Sequence, residues 1–349
     1  MKMNKKLSEA LKYILSIAAA VALLYFSFRG VNWKDFYVAL KECSWIYVLL
    51  AFALGILCYW VRGVRWKMLL EPIDDSISIR SSFNAINICM ITNLVLPRIG
   101  EFIRCGYITK NSSRDSKGHR KATLDKVFGT VVIDRGWDIF FGFVTAILVF
   151  SLLWGKYGDF ISENILTGLS ERLSLWKIGL ALLVLFAGFV FAVWKLHDRS
   201  RFLGKIWKIF KGVTEGLKTC LHMRRGWLFV VYTLVVWALY WMMSFAILLA
   251  VQKINPASVG GAMAEGVKAI QSLGLVDALF IMFAGSLSSL LPVPGGFGAY
   301  HSIVAGALLS VYGVPFEFGL LFATLSHETQ TLASILAGGW SYADETLRK

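Results

Sequence analysis

Long apolar runs separated by short polar segments dominate the pattern along the chain. A helix needs about 20 apolar residues to cross a hydrocarbon core about 30 Å thick. The runs of that length predict membrane-spanning helices at Leu11–Phe28, Cys43–Val61, Val127–Trp154, Trp176–Trp194, Trp227–Val251 and Phe318–Trp340. The pattern therefore predicts an all-α polytopic membrane protein with about six full spans.

Two further apolar segments, Ser82–Phe102 and Val276–Tyr312, are interrupted by proline and glycine. The first is too short to cross the membrane twice, yet basic segments lie on both of its sides. We therefore predict two re-entrant helical hairpins, and the charge pattern predicts that they enter from opposite faces. Backbone that is not helical survives at membrane depth only where it is buried in protein or lines a wet cavity.

The breaks in these two segments share the pattern L-P-x-x-G-x-F. The tip residues are Pro97 and Gly100 in the first segment, and Pro292, Pro294, Gly295 and Gly296 in the second. Similar units of opposite orientation are typical of an inverted repeat, with the binding site between its halves. The alternative is that proline and glycine break two unrelated helices.

Composition and charge agree with a membrane location. Hydrophobic residues make up 57% of the chain and charged residues 17%, whereas soluble domains have about 45–50% and about 25%. Of the 36 Lys and Arg residues, 26 fall in segments 1–12, 62–81, 104–126, 195–226 and 341–349, and eight in segments 29–42, 155–177, 252–277 and 313–317. The remaining two, Arg98 and Arg135, fall within the apolar segments. The positive-inside rule then predicts cytoplasmic termini in the plasma membrane. We treat residues 1–349 as one membrane domain.

The basic segment 195–226 reads as an amphipathic helix within that domain. Its apolar residues fall mostly at helical spacing with lysines between them, a pattern typical of a helix that lies on anionic lipid. The net charge of +14 is not accompanied by a nucleic-acid-binding motif. We therefore expect anionic lipid, and not nucleic acid, as the partner of the basic loops.

Charged residues at membrane depth are costly and indicate function or buried ion pairs. Arg98, Glu101 and Arg104 follow Pro97 at intervals of three. If a helix restarts there, all three project to roughly one side. Arg98 and Glu101 flank the break and are candidates for headgroup contact, whereas Arg104 can also be read as an interfacial charge.

A second charged cluster, Asp134, Arg135 and Asp138, lies in the third span. Arg135 and Asp138 are spaced i, i+3 and can pair on one helix face. The cluster is either part of a polar lining or a purely structural ion network.

The third cluster comprises His327, Glu328 and Gln330 near the middle of the last span, with His301 in the returning arm of the second hairpin. Histidine beside a carboxylate suits proton-coupled gating, although a polar cavity lining is the simpler interpretation. We expect no metal here, because the sequence has neither HExxH nor another i, i+4 ligand pair.

Four ordered motifs resemble the lysylphosphatidylglycerol synthase transmembrane-region family, also called the flippase-like domain family. They are Arg62-Gly63-Val64-Arg65-Trp66, then Asn93 with Pro97-Arg98-Ile99-Gly100-Glu101 and Arg104, then Asp134-Arg135-Gly136-Trp137-Asp138, and Pro292-Val293-Pro294-Gly295-Gly296-Phe297-Gly298. The resemblance implies a membrane domain that moves an aminoacylated or otherwise modified lipid between leaflets. Two-domain members add a soluble aminoacyltransferase domain, which we do not find in this chain.

The chain departs from the family at two positions. Tyr300-His301 stands where members often have a Glu, and His327-Glu328 stands where they often have an Arg. A lysyl headgroup is therefore not implied by the resemblance.

We expect a lipid flippase that moves a charged phospholipid or a lipid-linked precursor. The chain has no nucleotide-binding or soluble catalytic motif, so we expect no cofactor and no enzymatic activity. The alternatives are an integral-membrane lipid-modifying enzyme, with Glu101, Asp134, Asp138 or the His327-Glu328 pair as acid and base, and an accessory subunit of a separately encoded lipid-modifying enzyme.

Overall fold

The computed structural model describes residues 5–153 and 225–347, together with Lys195, Gly204, Trp207 and Met223. All regular elements in this part of the chain are helices, which confirms the all-α prediction. They are α1 (Lys5–Phe28), α2 (Trp33–Glu42), α3 (Trp45–Leu70), α4 (Ile79–Val95), α5 (Gly100–Asn111), α6 (Leu124–Leu152), α7 (Gly226–Val251), α8 (Gly261–Ile270), α9 (Leu275–Ser286), α10 (Ala299–Tyr312) and α11 (Phe316–Thr346). The predicted span Trp176–Trp194 and nearly all of segment 195–226 lie outside the described residues.

Three described helices, α3, α6 and α7, are long and apolar enough to cross a membrane. A fourth candidate span is the end of α1 from Tyr13 together with α2, although the two parts meet at 92°. Helix α11 has 31 residues and includes the predicted span Phe318–Trp340, but polar side chains interrupt its apolar surface. The chain is therefore an all-α membrane protein with apolar helices close to the predicted positions.

The chain groups into two compact units, residues 1–130 with 228–349 and residues 131–227. In the first unit, α11 packs against α10, α4 and α3. Its side chains Phe318, Leu321 and Phe322 are fully buried in an extensive apolar core. The second unit contains most of α6. The expectation of one domain over residues 1–349 stays a prediction.

The first broken segment consists of α4 and α5, which have 17 and 12 residues and pack against each other. The chain turns back over residues 96–99. Asn93 stabilises this turn, because its Oδ1 accepts a hydrogen bond from the Gly100 N–H at 2.9 Å. Glycine is needed at position 100, since a Cβ there would lie 2.3 Å from the Cys89 carbonyl oxygen.

The second broken segment runs from α9 through two 3₁₀ turns, Leu287–Leu290 and Pro294–Gly296, into α10. Gly295, Gly296 and Gly298 have φ between +58° and +78°, a region that L-residues with side chains rarely adopt. The helices α9 and α10 have 12 and 14 residues. All four helices of the broken segments are thus shorter than the roughly 20 residues of a full span, while their faces of entry stay predictions.

The buried carboxylate of Asp74 connects the loop after α3 to the loop that follows the first broken segment. Asp74, in the loop after α3, accepts hydrogen bonds from the hydroxyls of Ser112 at 2.6 Å, Ser76 at 2.6 Å and Ser113 at 2.9 Å. Burial raises the pKa of Asp74, but these hydrogen bonds outweigh it and hold the pKa below its usual range. The loops after α3 and α5 are therefore joined by an ionised side chain.

Two short helices are absent from the prediction. Helix α2 begins where Asn32 Oδ1 accepts the N–H groups of Lys34 and Asp35. Helix α8 has only 10 residues. Neither α2 nor α8 is long enough to give an apolar run of span length, so the hydrophobic pattern does not predict them.

Candidate functional site

The two breaks, which lie far apart in the sequence, touch in the structure. The Arg98 guanidinium donates from Nη2 to the Leu290 carbonyl oxygen at 3.4 Å. Leu94, next to the first break, lies 3.3 Å from the position of a Cβ on Gly295. Helix α4 also packs against the turn Pro294–Gly296. The structure thus brings the two tips together, and the wet groove expected between them stays a prediction.

Arg98 is not placed as the sequence predicted. Its φ is +67°, so it lies in the turn and precedes the helix that restarts at Gly100. The prediction that Arg98, Glu101 and Arg104 share one helix face is wrong for Arg98. The physical reason is that α5 starts only at Gly100, whose N–H donates to Asn93 Oδ1, so Arg98 lies outside the helical geometry that would align it with Glu101 and Arg104.

Glu101 and Arg104 do share a face of α5. Their side chains form an ion pair, with Arg104 Nε 2.7 Å from Glu101 Oε2. Arg104 is fully buried, and its guanidinium lies 4.6 Å from the centre of the Trp66 ring. Arg104 is therefore part of the protein interior, and its position relative to the membrane interface stays a prediction.

Two further buried cations, Arg62 and Arg65, were missed as site residues. The predicted span ended at Val61, whereas α3 continues to Leu70 and carries both arginines into the interior. Arg65 Nη1 donates to Thr233 Oγ1 at 3.4 Å, and its guanidinium lies 5.6 Å from the centre of the Phe229 ring. The signal in the sequence is the R-G-V-R-W motif itself, since its arginines are spaced i, i+3 at the end of an apolar run.

Arg62 lines a cavity of about 130 Å³. This volume is larger than a single water molecule needs. The lining comes from α3, α4, α7 and α11 and consists of Gly55, Cys58, Tyr59, Arg62, Met90, Tyr240, Met243 and Gln330. The cavity therefore combines one buried cation with hydroxyl and amide groups inside an apolar bundle.

The histidine cluster lies against the second tip. His327 Nε2 is 2.8 Å from the Gly295 carbonyl oxygen, and its Nδ1 is 3.1 Å from Glu328 Oε1. His301 Nε2, from α10, lies 3.8 Å from the same carboxylate oxygen. One ligand atom from each of the three residues lies within 4.8 Å of the other two. Among the described residues, this is the group whose donor atoms could hold a metal ion.

One ring contact and two hydrogen bonds connect the histidine cluster to the cavity lined by Arg62. The ring of Tyr300 lies 5.3 Å from that of His327, and its hydroxyl is 2.8 Å from Ser326 Oγ. Gln330, which lines the cavity, donates to the Ser326 carbonyl oxygen at 3.2 Å. A ring contact between His327 and Tyr300, followed by two hydrogen bonds, thus connects the second tip to the cavity of Arg62.

The charges of α6 belong to the second compact unit. Arg135 Nη1 lies 3.3 Å from Asp138 Oδ2, as their i, i+3 spacing predicts. Asp134 is buried.

Comparison with known families adds the decisive observation. The model of the family described as Lysylphosphatidylglycerol synthase TM region matches residues 13–338. The chain belongs to this family. No curated protein and no solved structure gives a significant match.

Membership in the Lysylphosphatidylglycerol synthase TM region family confirms the resemblance read from the four motifs. It makes the protein an integral membrane protein related to lipid modification or lipid flipping. The match contains both tips, the buried arginines and the histidine cluster, so the contacts described above lie within the family domain.

Proposed function

We propose that the protein moves a charged lipid, either a phospholipid or a lipid-linked precursor, between the two leaflets of the membrane. The observation that carries this proposal is the contact between two broken helices, where Arg98 of the first tip reaches the Leu290 carbonyl of the second. Broken helices with exposed backbone groups are the usual means by which transporters bind polar substrates at membrane depth.

The chemistry of the tips suits a lipid phosphate. A guanidinium can hold phosphate through two parallel hydrogen bonds, and Arg98 is an exposed cation on a tip. The hydrogen bond of Arg98 to Leu290 is long, at 3.4 Å, and a phosphate oxygen is a stronger acceptor than a carbonyl. On this proposal, a headgroup competes for Arg98 while the acyl chains stay in the lipid.

The cavity provides a second place where polar side chains can contact a headgroup. Arg62, Tyr59 and Gln330 line it, and the path through Tyr300 and Ser326 links it to the second tip. Two cations, Arg98 and Arg62, and the carboxylate of Glu328 lie along this route. Such a mixture supports a headgroup that carries a phosphate together with an amine.

On this proposal the protein transports the lipid and does not modify it. A separately encoded enzyme supplies the modified lipid, and anionic lipids bind the basic loops. The 26 basic residues on one predicted side support a plasma-membrane location with both termini in the cytoplasm.

Reconstitution into vesicles tests the proposal. The vesicles contain phosphatidylglycerol, phosphatidylcholine and a trace of phosphatidylethanolamine that carries a fluorescent label on one acyl chain, so that the headgroup keeps its phosphate and its amine. A membrane-impermeant reductant bleaches the label in the outer leaflet. We expect bleaching in the presence of the protein to proceed beyond the outer-leaflet fraction. Bleaching that stops at that fraction, as in empty vesicles, would contradict transport of this lipid class.

Matched arginine variants show whether the tip is responsible. Arg98→Gln should slow the bleaching of label that starts in the inner leaflet at least about tenfold, since a charge-assisted hydrogen bond contributes about 1.5–3 kcal/mol. Arg114→Gln, which changes an exposed arginine whose Nη1 donates only to the nearby Gly118 carbonyl oxygen, should transport normally. Mass spectra of the recovered lipid distinguish the enzyme alternative, because transport leaves the lipid mass unchanged.

A further inference from the structure

We propose that His301, His327 and Glu328 bind a divalent transition metal ion of the zinc class beside the second tip. Glu328 also lies on the proposed lipid route, but metal binding by these three residues is measured without lipid transport and does not rest on it. It also departs from the expectation based on spacing, because His301 comes from α10 while the other two ligands are neighbours on α11.

The hydrogen bond of His327 determines which of its ring nitrogens can bind a cation. Nε2 lies 2.8 Å from the Gly295 carbonyl oxygen, and a carbonyl oxygen can only accept. Nε2 therefore carries the hydrogen, and neutral His327 presents a lone pair at Nδ1. This is the arrangement of metal-ligating histidines, whose second nitrogen donates to a backbone carbonyl or a carboxylate.

That lone pair faces another acceptor. Glu328 Oε1 is 3.1 Å from His327 Nδ1, and an ionised carboxylate has no hydrogen to donate. If His327 is neutral and Glu328 ionised, a cation lies between the two atoms, and this cation is either a proton on Nδ1 or a metal ion. Ligand atoms about 2 Å from a tetrahedral zinc ion lie roughly 3.3 Å apart, so the observed separation fits two ligands of one ion.

His301 supplies an independent indication. Its side chain is only 2% exposed, and within the described part of the chain its Nδ1 has no hydrogen-bond partner. Its Nε2 is directed at Glu328 Oε1 from 3.8 Å, which is too far for a hydrogen bond. Burying an imidazole without polar partners is unfavourable, and coordination through Nε2 gives this ring one polar partner, while Nδ1 has no hydrogen-bond partner among the described residues.

The surroundings hold the ligands in place and leave one side open. The rings of Phe297 and Tyr300 lie 5.0 Å and 5.3 Å from His327 and restrict its rotation. The Glu328 side chain is 45% exposed, so a fourth ligand can reach the ion. Two histidines and one glutamate with an open fourth position form a donor set that zinc accepts.

Metal titration of the intact protein tests this site. The full-length chain, purified in detergent without a polyhistidine tag and stripped with a chelator, is titrated calorimetrically with Zn²⁺ alone. We expect one ion per chain and a higher unfolding temperature, because the ion joins α10, α11 and the tip that His327 contacts. Absence of stoichiometric binding would overturn the proposal and indicate that a proton occupies the space between His327 and Glu328.

Site variants and a matched control locate the ion. His301→Asn and Glu328→Gln should each weaken Zn²⁺ binding by at least about a hundredfold, since losing an outer-shell partner alone costs 10–100-fold. His119→Asn changes an exposed histidine of the loop after α5 and should bind Zn²⁺ as the wild type does. Equal loss in His119→Asn, or unchanged affinity in both site variants, would overturn the assignment.

A spectroscopic measurement covers the case in which His301→Asn does not fold. Glu328 is partly exposed, so Glu328→Gln should leave the metal-free unfolding temperature unchanged. Co²⁺ bound to the wild type should give the visible absorption bands of a low-coordinate nitrogen and oxygen site, and Glu328→Gln should lose them. Identical Co²⁺ spectra for the two proteins would overturn the proposal.

Discussion

The two broken segments share the pattern L-P-x-x-G-x-F, yet they build their breaks differently. The first break covers four residues, 96–99, and contains a cation, Arg98. The second covers twelve residues, 287–298, contains no charge and includes three glycines with positive φ. The first tip supplies a charged side chain, whereas the second supplies backbone carbonyls.

The polar partners of the second tip come from elsewhere in the chain. The Leu290 carbonyl receives Arg98 from the first tip, and the Gly295 carbonyl receives His327 from α11. A similar pattern of proline and glycine therefore predicts a similar break but not the same chemistry. Because one tip supplies a charged side chain and the other backbone carbonyls, the two halves of the proposed repeat have unequal roles.

The largest effect should come from filling the close contact in the first tip. Gly100→Ala should destabilise the protein by about 3 kcal/mol or more, the upper end for overpacking, because the new Cβ would lie 2.3 Å from the Cys89 carbonyl oxygen. The measurement is the unfolding midpoint in detergent. Gly106→Ala is the matched control on the same helix, because its Cβ meets nothing within 4 Å.

The second tip should respond less strongly. Gly298→Ala combines a φ of +77° with a Cβ 2.6 Å from the Leu23 side chain, and we expect a loss of about 2 kcal/mol because a left-handed conformation alone costs 1–2 kcal/mol. Gly306→Ala on α10 has open space and serves as the control in the same unfolding assay. If the two variants unfold at the same temperature, the second break does not depend on its glycine.

The smallest change in stability should have the opposite sign. Arg98 has a φ of +67°, so Arg98→Gly should stabilise the protein by about 1 kcal/mol. The same variant should slow lipid movement, because the cation of the first tip is lost. Arg98→Gln keeps the strained backbone and should slow movement without the gain in stability. Faster unfolding of Arg98→Gly than of Arg98→Gln would contradict this separation.

Local properties of the sequence predicted much of the fold. The apolar runs placed both ends of α6 and α7 and the start of α3 within about three residues of their observed positions, because span length and hydropathy are properties of a single helix. The end of α3 lies nine residues beyond its predicted position. The Arg135 and Asp138 pair also followed from i, i+3 spacing. The hydrophobic pattern places Arg62 and Arg65 in a loop, because hydropathy falls at charged residues even where the helix continues.

The sequence by itself determined the all-α class, the family and the positions of the two breaks. Proline and glycine act on the backbone within a few residues, so their effect can be read locally. Only the tertiary structure decided that Arg98 reaches Leu290, 192 residues away, and that His301 meets His327 and Glu328. These contacts depend on how separate helices pack, and neither the hydrophobic pattern nor the spacing of residues within one helix specifies which side chains then meet.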